Sequence, residues 1–520
     1  MLLFELVLGF EGFRVVFFFC IILCLLLICS TLLRRDRFYN VTSQLPTAKG
    51  LPFLGIAYQL TPMKKFLYVL ESYFLKFKSW SYYAWIGPQP FFVTVDIEMI
   101  KEILTSSSFL DKSTTMYSSV NKAIPNGIIS SPVNKWKHNR KLMNSTFTHR
   151  TITAFIPIFK RGTNILVEEL DGFVGRGELE VFEIIKQTFL DMALETTMGT
   201  DPNQTNNNHN KMISGFNYLL KQAATGAVLS TVKLGFLTLT PRYFRTQQFI
   251  QDHIEKLIKD KRKANNCKGN SKTMENQSNS DDCYTKKEAD IFINRALNFQ
   301  DQGLFGQDDV INETKTIVSG SFDTVSTQIY SILIMLAMHP NVQEKLYVEL
   351  TQVMPENNIS LEYKHLKHCP YLDMVIKETL RLMPSIPVIG REAANEIQVN
   401  GINFPKGIQV MIPIFILHRR KDLWGANANA FNPDNFLPER MSERRPYAYI
   451  PFSKGARNCI GWYYAETVLR IILFGLIRNF KFSTSFQYEN LVFSNHISLR
   501  YVEEPKLQIY RRNHAIEKMN

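Results

Sequence analysis

The sequence predicts a mainly α-helical chain with small β-sheets (α+β), preceded by a single membrane-spanning helix. Three observations carry this. An apolar run of 19 residues, Val15–Leu33, stands near the start; at 1.5 Å per residue it covers about 28 Å, close to the hydrocarbon thickness of a bilayer. Long stretches with helical periodicity follow, the most extended from about Asp308 to Met338. Short alternating segments, about Ser81–Trp85 and Phe91–Val95, read as strands.

In chain order, residues 1–14 are expected to be a short lumenal N-terminus and residues 15–33 a signal-anchor helix. Arg34, Arg35 and Arg37 follow the run against Arg14 alone before it, which places the rest of the chain on the cytosolic face. No small-x-small cleavage site follows, so the run reads as retained. The sequon Asn40-Val41-Thr42 should then stay unglycosylated. Residues 34–58 form a basic, proline-rich linker in which Pro46, Gly50, Pro52 and Gly55 disfavour helix, and residues 59–520 form one domain.

Within that domain the pattern is largely helical from about Lys135 to Lys263. Cys267–Asp290 is rich in Asn, Ser, Lys and Asp and reads as a mobile surface loop. Further helices are expected at about Asn341–Val353, Tyr371–Leu382 and Trp462–Asn479. Ile397–Phe415 reads as short strands and turns, and Ile497–Arg511 as a terminal hairpin.

Composition excludes some functions. None of the seven cysteines forms a Cys-x-x-Cys pair, which argues against a zinc site or a disulfide framework and fits a reducing compartment. The net charge of +13 comes from scattered basic residues with no basic-aromatic stripe. An anionic membrane surface or an acidic protein partner explains the sign better than nucleic acid.

The most informative residues are Phe452-Ser453-Lys454-Gly455-Ala456-Arg457-Asn458-Cys459-Ile460-Gly461. One cysteine stands between two glycines, with an arginine two before it and a phenylalanine seven before it. This segment resembles the haem-binding loop of the cytochrome P-450 family, the haem-thiolate monooxygenases. The resemblance implies the P-450 fold, haem b as cofactor and Cys459 as the thiolate ligand to iron. Gly455 and Gly461 would permit the tight turn and close approach to the porphyrin. Arg457 would pair with a haem propionate, and Phe452 would keep water off the sulfur.

Other segments extend the resemblance over nearly the whole chain, closest to insect-type microsomal members of the fatty-acid ω-hydroxylase branch. Glu378 and Arg381 lie on one helix face and match the family's buried K-helix pair, with Asn435 where the third member is usually arginine. Trp136 and Arg140 are one turn apart and match a pair that holds a propionate; Arg391 matches another propionate arginine. Ser319-Gly320-Ser321-Phe322-Asp323-Thr324 is similar to the oxygen-activating motif of the I helix. There Thr324 would hold bound oxygen and Asp323 would relay protons. Where relatives carry a glutamate able to esterify haem, this chain has Gly320, so haem should be bound non-covalently apart from the thiolate–iron bond.

The resemblance implies a lipophilic substrate, a fatty acid, hormone or xenobiotic, and electrons from NADPH through NADPH–cytochrome P-450 reductase, with cytochrome b5 as a further partner. Membrane lipid should contact the anchor, and the location should be the cytosolic face of the endoplasmic reticulum. Lys454, Arg440, Arg444 and Arg445 would form part of a basic face for the reductase. Substrate contacts are expected from Tyr117–Ser130, Phe322, Ser385–Ile389 and the turn near Glu504 and Pro505. Two alternatives stay open: a haem-thiolate isomerase or dehydratase working without O₂, and a haem-binding sink or sensor without turnover.

Overall fold

A computed structural model describes residues 38–200, 208–275, 291–355 and 362–512, together with part of 14–36. Among the described residues helices dominate, with four small sheets. The core helix is Gln307–Met338, whose buried residues run round every side, as a helix through the centre of a large protein requires. It also has the length and hydropathy of a membrane span, but 83% of its apolar window is buried inside the protein. Among the described residues no other helix meets that test. The described residues of the run 15–33 are exposed, Val15, Phe18 and Leu33 among them.

The helices Pro340–Val353, Pro370–Leu382 and Trp462–Asn479 lie within a residue of the segments whose periodicity predicts them. Proline opens the first two, where its missing N–H costs nothing. The strands Ser81–Ile86 and Gln89–Thr94 form an antiparallel pair joined at Gly87, with φ of +64°. Gln409–Ile412 joins this pair in parallel, and Ile389–Glu392 closes that edge. Thr47–Ala48 closes the other edge, so the last part of the proline-rich linker is built into the folded body.

Two expectations change. Ile497–Arg511 is not one hairpin: Ser498–Tyr501 pairs with Phe493–His496, whereas Leu507–Arg511 pairs with Phe480–Ser483 and with Leu179 and Glu178. Val502–Lys506 lets the chain cross between the two sheets. At Cys267–Asp290 the helix Pro241–Glu275 runs into the stretch read as a loop, and residues 276–290 lie outside the described residues.

Candidate active site

Cys459 sits in a loop whose shape follows from two residues. Ser453 (φ +59°) and Gly455 (φ +76°) reverse the chain, so that the Cys459 N–H donates to the Phe452 carbonyl at 3.0 Å and the Asn458 N–H to the Gly455 carbonyl at 3.1 Å. A Cβ on Gly455 would lie 1.9 Å from the Leu104 carbonyl oxygen. Gly461 has an ordinary φ of −95° and lines the cavity, so the turn is the work of Gly455. Gly455→Ala should therefore destabilise the loop by about 1–3 kcal/mol. The expected result is a lower thermal midpoint and less haem retained per protein, read from the Soret-to-protein absorbance ratio.

Cys459 is exposed and lines a cavity of about 390 Å³. Burial pushes its thiol pKa up, while the Gly461 N–H and the charges of Arg140 and Lys112 pull the other way. The same cavity is lined by Gly320, Ser321, Asp323 and Thr324 of the long helix. That helix stays continuous here: Thr324 Oγ1 donates to the Gly320 carbonyl at 2.7 Å and Ser321 Oγ to the Ile317 carbonyl at 2.8 Å.

Asp323 is buried and held by a residue that no local motif marks. Arg500, on the strand Ser498–Tyr501, is ion-paired with its carboxylate and donates to Thr327 Oγ1 as well. Nearby His496 is pushed down to about 4, by burial first and then by the charges of Arg500 and Lys221, so it is neutral at physiological pH.

Cations gather around Lys112 and Arg457, which line the cavity, with the charge of Arg391 felt by both although Arg391 is not itself on the lining. Arg391 is 1% exposed; its Nη1 donates to the Gly390 carbonyl at 3.0 Å and its Nη2 has no partner. Arg457 donates to the Leu110 and Ser131 carbonyls at 2.9 and 3.0 Å, leaving a buried Nη1 without one. Burial and Arg391 hold the Arg457 guanidinium down at about 10. Lys112 also lines the cavity; burial and the charges of Arg391 and Arg457 push it well below the usual lysine range. Sequence reasoning missed Lys112, since a lone lysine after Asp111 carries no signal of its own. Buried guanidinium nitrogens with no acceptor are costly unless an anion completes them. The set therefore fits a ligand that brings carboxylates to these cations and presents a metal to Cys459.

The other predicted residues are placed as follows. Trp136 is buried, with Arg457 4.2 Å over its ring. Arg140 grips the cysteine loop, donating to the Asn458 backbone carbonyl at 2.8 Å and to Asn458 Oδ1 at 2.9 Å. Glu378 and Arg381 form a bidentate pair at 2.7 Å, both fully buried. Asn435 Nδ2 donates to Glu378 Oε1 at 3.0 Å, beside the Asn432 N–H at 2.8 Å. Arg381 spends its remaining N–H groups on the carbonyls of His418, Ala428 and Ala430.

Ser385, Ile386, Val388 and Ile389 line the cavity, as do Tyr117, Val120, Ile124, Ile128 and Ile129. Phe322 does not: it is fully buried against Phe216. The C-terminal contribution comes from Asn495, Ile497 and Ser498 rather than from Glu504 and Pro505. The segment 124–131 is fastened to the long helix by Glu313, which accepts from the Ile128 N–H at 2.9 Å and Asn139 Nδ2 at 2.7 Å.

Burial pushes Glu313 up from the ordinary 4.5 to about 7, against the pull of those two donors and Lys135 and with a small push from Asp309. The folded state then holds this proton more tightly than the unfolded chain. Its stabilisation is complete below pH 4.5 and is lost as pH rises to about 7. Glu313→Gln keeps the shape without the proton, so the drop in thermal midpoint between pH 5 and pH 8 should shrink.

A cysteine offered to a cavity, an acid–alcohol pair lining the same cavity and buried guanidinium nitrogens beside it with no acceptor define a haem-thiolate protein. The family model described as Cytochrome P450 matches residues 45–507. Among similar proteins, "Probable cytochrome P450 313a3" of Drosophila melanogaster is 33% identical, covering 92% of this chain and 96% of that one. "Probable cytochrome P450 313a4" of the same organism is 31% identical over the same shares. "Cytochrome P450 4c21" of Blattella germanica is 28% identical, again covering 92% and 96%. The chain belongs to the cytochrome P450 family. It is accordingly a haem-thiolate monooxygenase that binds haem b through a cysteine.

Proposed function

We propose that this cavity inserts one oxygen atom from O₂ into a lipophilic substrate, with Cys459 as the iron ligand and electrons from NADPH through a flavoprotein reductase. The observation that carries the reading is that Cys459 and the pair Asp323–Thr324 line one cavity. Bound haem supplies the activation of dioxygen and the transfer of one oxygen atom. Lys112 and Arg457 on the lining, with the open Nη2 of Arg391 behind them, would receive its carboxylates, Trp136 would back Arg457, and Phe452 would close the loop behind the sulfur. Arg140 steadies that loop through Asn458. No carboxylate stands at Gly320, so no ester to haem is expected there.

The protein's own part is to deliver protons and exclude water. The Thr324 hydroxyl proton points at the Gly320 carbonyl, so its oxygen accepts on the cavity side until that bond is released. Asp323 can hand a proton inward only by loosening from Arg500, which makes the ion pair a gate between solvent and Thr324. The cavity wall is otherwise largely apolar, which suits a lipophilic substrate.

The run 15–33 is proposed as the anchor in the endoplasmic reticulum membrane, with the folded domain on the cytosolic face. Phe236, Leu237 and Phe244, each more than half exposed, support a second membrane contact beside Lys233 and Arg242. Arg440, Arg445 and Lys454 are exposed and suit an acidic reductase, with cytochrome b5 as a further electron donor. Reconstitution with reductase tests the reading: product should form only with NADPH and O₂. Turnover without NADPH would favour an isomerase, and haem binding with no NADPH consumption on any lipophilic probe would favour a sink or sensor.

A further inference from the structure

We propose that the substrate carries a neutral oxygen function, a hydroxyl or a carbonyl, that seats on Gln328 and Ser498. This rests on the monooxygenase reading and adds the chemical class of substrate. Gln328 stands one helical turn beyond Thr324, and both line the cavity. Val388, Ile389 and Ile414 line the same cavity.

Gln328 and Ser498 are each 1% exposed, and Gln328 Nε2 and Ser498 Oγ have no hydrogen-bond partner. Ser385 Oγ lies 3.0 Å from the Thr324 carbonyl and 3.2 Å from Gln328 Oε1. A serine hydroxyl has one proton, so it cannot serve both acceptors. If the amide is turned, Nε2 donates to Ser385 and Oε1 is left open instead. In either orientation one carboxamide atom remains without a partner.

The two open groups lie in one region. The Leu499 N–H donates to the Ser385 carbonyl at 2.8 Å, and Tyr501 Oη to Ser331 Oγ at 3.0 Å. These bonds lay the strand Ser498–Tyr501 along the helix beside Ser385, with Ser498 at the cavity wall. Buried polar groups are destabilising until something completes them. Both open atoms are sealed from water here, so completing them takes a small side-chain shift toward the cavity, which an oxygen on the ligand rewards and a saturated hydrocarbon does not. Both are uncharged, and Arg500, the cation of that strand, is engaged by Asp323 and Thr327. A neutral oxygen is therefore preferred there over a carboxylate.

The test uses the full-length holoprotein and four probes of equal chain length: decane, 2-decanol, 2-decanone and decanoate. Dissociation constants come from optical titration of the haem band, with no turnover. 2-Decanol should bind about tenfold more tightly than decane. Ser498→Ala and Gln328→Leu should each remove most of that preference, read as the ratio of the decane and 2-decanol dissociation constants within the same variant. 2-Decanone binding as well as the alcohol supports the proposal with a donor open on Gln328; binding only of the alcohol supports it with an acceptor open. Equal affinity for decane and 2-decanol, or a preference that survives both substitutions, overturns it. So does decanoate binding more tightly than 2-decanol through the same two residues. Should Gln328→Leu not fold, Ser498→Ala decides alone. The spectrum of the reduced carbon monoxide complex separates the failures: a thiolate spectrum without the preference sinks only this proposal, and a parent without that spectrum sinks the reading beneath it.

Discussion

Glu378→Ala should cost about 3–5 kcal/mol and prevent recovery of folded holoprotein at ordinary growth temperature. The substitution leaves the Arg381 guanidinium fully buried with no counter-charge, and it strands the Asn435 amide and the Asn432 N–H together. Arg381→Ala should be as damaging, because three backbone carbonyls lose their donor while Glu378 keeps its charge. Replacing both residues should cost less than the two single effects added, since neither charge is then orphaned. Urea midpoints of the two single variants and the double variant measure this. Single variants within 1 kcal/mol of the parent would show that the pair carries little, and that the carbonyl bonds to Arg381 are replaceable by water.

Asp323→Asn should lower the rate of product formation by about 100-fold while leaving substrate affinity within about threefold. Asparagine fills the same space, but it cannot carry a proton from solvent to Thr324. The companion variant Arg500→Met tests the gate from the other side. It leaves Asp323 buried and unpaired, so it should lower the thermal midpoint, which Asp323→Asn should lower much less. Steady-state kcat and KM, with the substrate affinity from optical titration, separate the two effects. An unchanged kcat in Asp323→Asn would move proton delivery to another route, such as Thr324 with ordered water.

Much of this arrangement is legible in the sequence because its signals are local. The helix Trp462–Asn479 and the ends of Gln307–Met338 follow from apolar periodicity and flanking glycine and proline. The cysteine loop is read from ten consecutive residues, and Glu378 with Arg381 from one helical turn. What escapes is non-local. Arg500 meets Asp323 across 177 positions, and nothing around Arg500 distinguishes it from a solvated surface arginine. Lys112 becomes notable only beside Arg391 and Arg457.

The terminal segment was beyond local signals for a related reason. Four- and five-residue strands gain their stability from the partners they find, so Ser498–Tyr501 and Leu507–Arg511 can alternate alike and still join different sheets. Gly461 shows the opposite limit, since its pattern suggests a turn glycine while its φ of −95° suits any residue. Phe322 shows a third. Its place beside Asp323 suggested the cavity, but one position on a helix turns a side chain by about 100°, here into the core against Phe216.

We propose Cys459 as the thiolate ligand to haem iron in the cavity that Asp323 and Thr324 share. The carbon monoxide difference spectrum of the reduced full-length protein, taken beside that of Cys459→His, decides this. The parent should show the red-shifted Soret band of thiolate-ligated haem, and the variant, if it retains haem, the band of imidazole-ligated haem. An imidazole-type band in undamaged parent protein, or a thiolate-type band that persists in Cys459→His, would contradict the account.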